Sequence, residues 1–191
     1  QMRTVNFAQL ALVLNAGAKV SSNFKRIQRF MKEYVFDQER FVRFAWSQYG
    51  QEGSWKVLSM DRTNWQFGKV NINILTLGIS WRGTAIPLVW KLLNKKGQSN
   101  VCERTALLDE LLRILTKEQR SKIRYVVMDR EFGSGEWITA LKKRSLGFII
   151  RIRVDARVRK TGSLKDSAAK ELFCCQYFKV LRKPRVIFGH R

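Results

Sequence analysis

The chain has 191 residues, of which 45% are hydrophobic, so it is long enough to form an ordinary domain with a packed core, and disorder is not expected. Lysine and arginine number 37 against 15 aspartate and glutamate residues, and the net charge of +22 indicates a polyanionic partner, with nucleic acid favoured over an acidic membrane surface. No apolar stretch reaches the roughly 18 residues of a membrane span, and the first residues have no signal-peptide pattern. We therefore expect a cytoplasmic protein that contacts DNA or RNA and no membrane.

Cysteine and histidine usage narrows the chemistry further. The three cysteines contain no C-x-x-C pair, so neither a zinc site nor a disulfide framework is expected. The single histidine, His190, is next to the last residue, which leaves a Ser-His or Cys-His site without a base. Hydrolytic or transfer chemistry would then depend on carboxylates and a metal ion.

Residues 1–50 are predicted to be helical. Apolar residues repeat at helical spacing from Phe7 to Leu14, Ser21-Ser22-Asn23 is a plausible cap for a second helix, and a third runs from Asp37 to Tyr49. The second helix has a basic face made of Lys25, Arg26, Arg29 and Lys32. Three short helices with a basic second one are compatible with a helix-turn-helix-like DNA-binding region. A charged helix face is about as often merely solvated.

Two apolar runs in the chain end at an acid that is followed by arginine. Residues 55–60 lead into Asp61, and residues 126–128 lead into Asp129. Both runs are predicted to be short buried strands, and ligands in open α/β sheets lie outside the carboxyl ends of the strands. If the strands are neighbours, the two carboxylates converge on one site for a divalent metal. Either acid alone is more simply interpreted as a strand-end residue that caps a turn or pairs with its arginine, but the two together favour the metal site.

The remaining elements predict an α/β sheet with crossover connections. Strands are expected at 70–79 and at Ala85–Leu93, where Pro87 indicates an edge position or a bulge, and a helix with one wide leucine face spans Cys102–Leu115. A further helix from Gly133-Ser134 precedes a fifth strand, Phe148–Val154. Arginines on one face of that strand and directly after it form a basic strip suited to phosphates: Arg151, Arg153, Arg157 and Arg159.

Changes in composition predict three regions. A loop at residues 50–54 separates the helical segment 1–50 from a core at 54–165. The tail, residues 166–191, has no clear period and does not complete a sheet or a helix in the predicted pattern.

Four blocks of this sequence resemble the IS4-like DDE transposases of bacterial insertion sequences, over roughly residues 1–160. The blocks are Asp61-Arg62-Thr63-Asn64-Trp65, residues 68–73, residues 83–87 and Asp129-Arg130-Glu131-Phe132. The resemblance implies a ribonuclease-H-like mixed sheet with flanking helices, preceded by a small helical DNA-binding region. It also implies Mg²⁺- or Mn²⁺-dependent cleavage and strand transfer, with Asp61 and Asp129 as the first two of three metal-binding carboxylates.

The same resemblance implies the partners. They are double-stranded DNA, as element ends and target, and a second copy of the chain in a synaptic complex, in the cytoplasm at the nucleoid. Arg62 and Arg130, from the matching blocks, are added to the predicted nucleic-acid contacts.

The sequence departs from the family at the third carboxylate. In the family a later helix carries a glutamate with a tyrosine, an arginine and a lysine at fixed spacing, and that pattern is not found here. Glu171 is the only late glutamate and lacks the spaced partners. It lies on a possible helix after the fifth strand, so its substitution for the family's glutamate is an alternative, but a missing third carboxylate is favoured. Two main hypotheses follow: an active transposase, or a catalytically inactive DNA-binding remnant from a truncated or frameshifted copy. A basic RNA-associated structural protein without an active site is a third.

Overall fold

The computed structural model describes residues 4–51, 53, 55–160, 162–173 and 185–187. The chain divides into two compact units, Gln1–Asp37 and Gln38–Arg191. The first unit contains helices α1, Phe7–Val13, and α2, Val20–Glu33, while helix α3, Gln38–Tyr49, belongs to the second. The three expected helices are therefore present, but they do not form one unit.

Asn23 connects the two helices of the first unit. Only 1% of it is exposed, and its side-chain amide donates to the carbonyl oxygens of Ala11 and Asn15, at 3.0 Å each. Helix α2 begins at Val20 after Lys19, which provides no side-chain cap. The expected cap at residues 21–23 is thus wrong, because Asn23 lies inside the helix and bonds to the preceding helix and loop.

The second unit is built on a five-stranded sheet with the order β3-β2-β1-β4-β5. Its strands are β1 Lys56–Phe67, β2 Val70–Trp81, β3 Thr84–Leu92, β4 Ile123–Met128 and β5 Gly147–Ile150. Strands β1, β2 and β3 pair antiparallel, whereas β4 pairs parallel to both β1 and β5. The helices between them are α4 Val101–Ile114, α5 Lys117–Ser121 and α6 Gly135–Lys143. This mixed sheet with flanking helices confirms the expected ribonuclease-H-like α/β class.

Strand β1 is longer than the sequence pattern predicts. The apolar run ends at Asp61, but the strand continues to Phe67 because β2 pairs with it along its whole length, from Leu58↔Ile79 to Phe67↔Val70. Asp61 therefore lies within β1 and not at its end. Its neighbour β4 does end before the second acid, at Met128.

The core lies on one face of this sheet. Side chains from α3, α4 and α6 join those of the strands in one buried cluster, in which Trp46, Leu58, Leu108 and Trp137 are at most 1% exposed. Burial of Val42, Ala45 and Trp46 in that cluster explains why α3 belongs to the second unit. The structural division therefore falls after Asp37, whereas the sequence placed a boundary at residues 50–54.

The end of the described chain forms a second, small sheet. Strand β5 stops at Ile150, four residues before the predicted end at Val154. Strands β6 Arg157–Lys160, β7 Asp166–Ala168 and β8 Arg185–Ile187 then form an antiparallel sheet in the order β7-β6-β8. A short 3₁₀ helix spans Ala169–Phe173, and the rest of the predicted tail, including His190, lies outside the described residues.

No helix within the described ranges has both the length and the apolar character needed to span a bilayer.

Candidate functional site

The parallel pairing of β1 with β4 places the two acids at matching positions. The last paired residues are Met60 and Met128, so Asp61 and Asp129 are the next residue on each strand. Neighbouring strands lie about 4.8 Å apart, and side chains two residues apart share a face. Asp61 and Asp129 therefore project from the same face of the sheet as the preceding pair, Ser59↔Val127.

A third charged residue, Arg151, lies beside the two acids at the end of strand β5. Val127 pairs with Ile149, and the backbone N–H of Arg151 donates to the carbonyl oxygen of Met128 at 3.1 Å. Arg151 thus follows the end of β5 beside Asp129. A cavity of about 320 Å³ opens here. Its lining comprises Ser59, Met60, Asp61, Val127, Met128, Asp129, Ile149 and Arg151.

The two carboxylates differ in their surroundings. Asp61 is exposed, and its Oδ1 accepts a hydrogen bond from the backbone N–H of Arg62 at 2.8 Å. The Asp129 side chain is 46% exposed, but its Oδ1 is shielded from solvent and accepts no hydrogen bond from the described part of the chain. The Arg151 Nη1 atom lies 3.3 Å from this oxygen without hydrogen-bond geometry, on a side chain that is 80% exposed.

This donor set suits a hard divalent cation. An anionic oxygen that lacks a donor, next to a second carboxylate in an open cavity, is the environment that a cation would satisfy. Mg²⁺ is commonly held by one or two carboxylates together with substrate phosphates, and two acids in an open cavity match the protein's share of that ligand set. The Arg151 guanidinium supplies positive charge 3.3 Å from Oδ1 of Asp129.

The described residues do not supply a third acid that completes a metal-binding group with this pair. Among the residues that the structure describes, no group of three or more His, Cys, Asp or Glu side chains is placed to hold a metal ion. Glu171 is exposed on the short 3₁₀ helix and does not complete such a group. Glu131 follows Asp129 closely, but its carboxylate is bound by Arg62.

Arg130 and Arg153 lie close to Asp129. Together with Gln98, Asp129 and Glu131 they line a polar cavity of about 410 Å³. Arg153 also makes a two-point contact with Asp155, at 3.0 and 3.1 Å, and these hydrogen bonds raise the pKa of the arginine and lower that of the aspartate. Two cavities that share Asp129 are therefore lined by three arginines, Arg151 in one and Arg130 and Arg153 in the other.

The other predicted nucleic-acid contacts are distributed elsewhere. Arg157 and Arg159 are on β6, where Arg159 lies 3.7 Å from Asp166. The predicted basic face of α2 is exposed in the first unit, with Lys25, Arg26, Arg29 and Lys32. Arg62 differs from all of these because its side chain is only 12% exposed and bonds to Glu131 and Asn73.

The sequence interpretation did not identify three polar residues behind the acid pair. Asn73 and Arg104 are 1% and 4% exposed, and Glu131 was assigned no role. A signal for two of them was present: Asn73 interrupts the apolar positions of β2, and Arg104 shares helical spacing with the buried Leu107, Leu108 and Leu111. A polar residue at a core position indicates a specific partner.

The shielded Oδ1 atom of Asp129, which accepts no hydrogen bond from the described residues, leads to a stability prediction. In the absence of metal, Asp129→Asn should change the free energy of unfolding by no more than about 0.5 kcal/mol, because an ion pair to an exposed arginine contributes little and no hydrogen bond is lost. Urea unfolding of both proteins in EDTA measures this. A loss of about 2 kcal/mol or more would show that the acid is needed for folding, as a turn residue would be.

The profile of the family described as "Transposase DDE domain" matches residues 88–186, just over half of the chain, and this range includes Asp129 but begins after Asp61. No curated protein sequence matches the chain significantly.

Several solved structures are weakly similar. The catalytic core domain of HTLV-2 integrase in complex with magnesium has 14% identity and a TM-score of 0.36, covering 49% of this chain and 59% of that one. The catalytic domain of Mos1 transposase with Raltegravir and Mn has 13% identity and a TM-score of 0.37, covering 60% and 62%. The Mos1 strand transfer complex has 11% identity and a TM-score of 0.35, covering 78% and 58%.

These solved structures establish nothing further, since their TM-scores are below 0.5, and the chain spans only about three fifths of their length. The family profile, in contrast, covers just over half of the chain, which is enough to assign the family. On that match, the chain belongs to the transposase DDE domain family.

Proposed function

We propose that this protein is a DNA transposase that cleaves and joins DNA at the ends of a bacterial insertion sequence of the IS4-like group, with Mg²⁺ or Mn²⁺ as cofactor. The observation that carries the proposal is the adjacent placement of Asp61 and Asp129 in one cavity, where Asp129 has an oxygen without a donor. Family membership supports the reaction class.

In this proposal the two acids hold the metal and the surrounding arginines hold the DNA. A divalent ion held by the two acids would supply a nucleophile at neutral pH and would stabilise negative charge on the leaving oxygen. The role of Asp61 and Asp129 is to fix their position through carboxylate oxygens. Arg130, Arg151 and Arg153 lie close enough to Asp129 to bind the phosphates that flank the reacting one.

The wider proposal concerns the partners. The exposed basic face of α2 and the arginines of β6 contribute further phosphate contacts with double-stranded DNA, at element ends and at the target. Two copies of the chain would act together in a synaptic complex, in the bacterial cytoplasm at the nucleoid.

The alternative is a DNA-binding protein of the same family that does not cleave. One observation favours it: the described residues provide two carboxylates at the site and no third. Such a protein would bind DNA and retain weak metal affinity, but it would lack turnover.

The first experiment separates these two functions by nicking and metal binding. We expect the full chain to bind Mn²⁺ and to nick supercoiled DNA in its presence. Asp61→Asn and Asp129→Asn should each weaken Mn²⁺ binding by about 10–100-fold, the effect of losing about 1.5–3 kcal/mol of charged interaction, and should abolish nicking. Titration calorimetry and gel electrophoresis give the two readouts.

Asp109→Asn is the matched control, because Asp109 is an acid of the same unit that pairs with Arg144 and lies on α4, outside the cavity. It should leave both readouts unchanged. Mn²⁺ binding without nicking in the unsubstituted protein would support the inactive alternative. Absence of Mn²⁺ binding would contradict the metal site itself.

A second experiment tests the DNA-binding surface. The double substitution Arg151→Ala and Arg153→Ala should remove two phosphate contacts. The negative slope of log K against log salt concentration should then become shallower by about 2. Fluorescence anisotropy with duplex DNA at several salt concentrations measures the slope.

The matched control is the double substitution Lys117→Ala and Lys142→Ala, which removes the same charge. Helices α5 and α6 end just before β4 and β5 begin, so these exposed lysines lie toward the opposite end of the sheet from Asp129. Equal slopes for the two double variants would show that binding follows net charge and not the arginines around the acids.

A further inference from the structure

An ion pair between Arg62 and Glu131 joins the two segments that carry the acids. Among the residues that the structure describes, no other ion pair does so. Arg62 directly follows Asp61, and Glu131 is two residues after Asp129. The Nε atom of Arg62 lies 3.1 and 3.2 Å from the two carboxylate oxygens of Glu131, and Nη2 lies 2.8 Å from Oε2. The two side chains are only 12% and 18% exposed, so the pair is largely shielded from solvent. Such two-point contacts are strong and restrict geometry.

The pair lies where the sheet no longer joins the two strands. Backbone pairing between β1 and β4 stops at Met60↔Met128. Past that point the separation of Asp61 and Asp129 is not set by ladder hydrogen bonds. The Arg62–Glu131 contact is the next connection along the two strands, and it therefore restrains the segments that carry the acids.

The Arg62 side chain acts from the opposite face of the sheet. Successive residues of a strand alternate between faces, so Arg62 projects away from the cavity into which Asp61 projects. Neither Arg62 nor Glu131 lines the 320 Å³ cavity. Their influence on a bound metal therefore passes through the backbone of the two acids.

Buried polar contacts hold the arginine end of this pair. Arg62 Nη1 donates to Oδ1 of Asn73 at 3.3 Å, and the amide of Asn73 donates to the carbonyl oxygens of Lys95 and Gly97 at 2.9 and 3.0 Å. Asn73 is 1% exposed. The Arg62 guanidinium is thus fixed to the loop that precedes α4.

The glutamate end is held by Arg104. Its Nη2 donates to the backbone carbonyl of Glu131 at 3.3 Å and to that of Ser99 at 2.6 Å, and its guanidinium lies 4.7 Å from the centre of the Phe132 ring. Burial lowers the pKa of this arginine, which is 4% exposed. Both ends of the pair are therefore anchored to the same loop, residues 94–100.

We propose that Arg62 and Glu131 are positioning residues that fix the separation of Asp61 and Asp129 for metal binding. The inference rests on the proposed metal site and adds residues to it that touch neither metal nor DNA. Groups that orient metal ligands from behind typically change metal affinity by about 10–100-fold when they are replaced.

The test measures Mn²⁺ binding by the full chain in three variants. Glu131→Gln keeps the shape of the side chain but removes its charge, and Arg62→Lys keeps the charge but loses the two-point geometry. Asp109→Asn is the control, because Asp109 and Arg144 also form a two-point pair, with both contacts at 2.6 Å, at the end of α6 just before β5 begins. Circular dichroism identifies the temperature range in which each variant is folded, and calorimetry and manganese EPR are performed there.

We expect both Arg62→Lys and Glu131→Gln to weaken Mn²⁺ binding by about tenfold or more and to alter the EPR spectrum of the bound ion, while Asp109→Asn does neither. A purely structural pair would lower the unfolding temperature of the variants and leave the Mn²⁺ affinity of the folded protein unchanged. Folded Glu131→Gln with an affinity within about twofold of the unsubstituted protein would overturn the proposal. If that variant does not fold, the same criterion applies to Arg62→Lys.

The outcome also distinguishes this inference from the proposed function. An unsubstituted protein that binds no Mn²⁺ contradicts both. An unsubstituted protein that binds Mn²⁺ while the two variants bind it equally well contradicts the positioning role alone.

Discussion

The parallel pairing of β1 with β4 is the constraint on which the site depends. Its register ends at Met60↔Met128, and alternation along the two segments beyond that pair directs Asp61 and Asp129 to one face of the sheet. Two carboxylates at this spacing repel each other unless positive charge lies between or beside them. A slip of one residue would turn one of the acids toward the core, where an unpaired charge is strongly unfavourable. Register, and therefore the packing that specifies it, decides whether the two acids share a face.

The two faces of the sheet differ in burial. On one face, the helices and strands share a continuous apolar core that includes Leu58, Met60 and Met128. The other face carries the acids and exposed residues such as Trp65, at 60%, and Ile149, at 52%. The methionines directly before the two acids are buried, so alternation along each strand directs the following carboxylate to the open face. The hydrophobic core thus positions groups that it does not contact.

Much of this arrangement was predictable because it depends on local patterns. The apolar runs before Asp61 and Asp129, the leucine face of α4 and the irregular pairing near Pro87 all follow from residue periodicity and from the missing N–H of proline. The observed register shift on β3, an edge strand, confirms the expectation for Pro87.

Other features of the fold depend on contacts between residues that are far apart in the chain, and a local sequence pattern does not indicate such contacts. Strand β1 continues past its polar residue Asp61 because β2 pairs with it, and α3 joins the sheet because Trp46 is buried in its core. The contact between Arg62 and Glu131 spans 69 positions in the chain. Sequence alone gives no sign of the shielded partner of Arg62, because nothing beside this arginine in the chain indicates Glu131.

The most direct test of the central claim is the position of manganese in a crystal of this protein, found from its anomalous scattering. The account predicts a peak within coordination distance, on the order of 2 Å, of a carboxylate oxygen from both Asp61 and Asp129. Manganese bound to only one of the two acids, or held at another place while both carboxylates face apart, would contradict it.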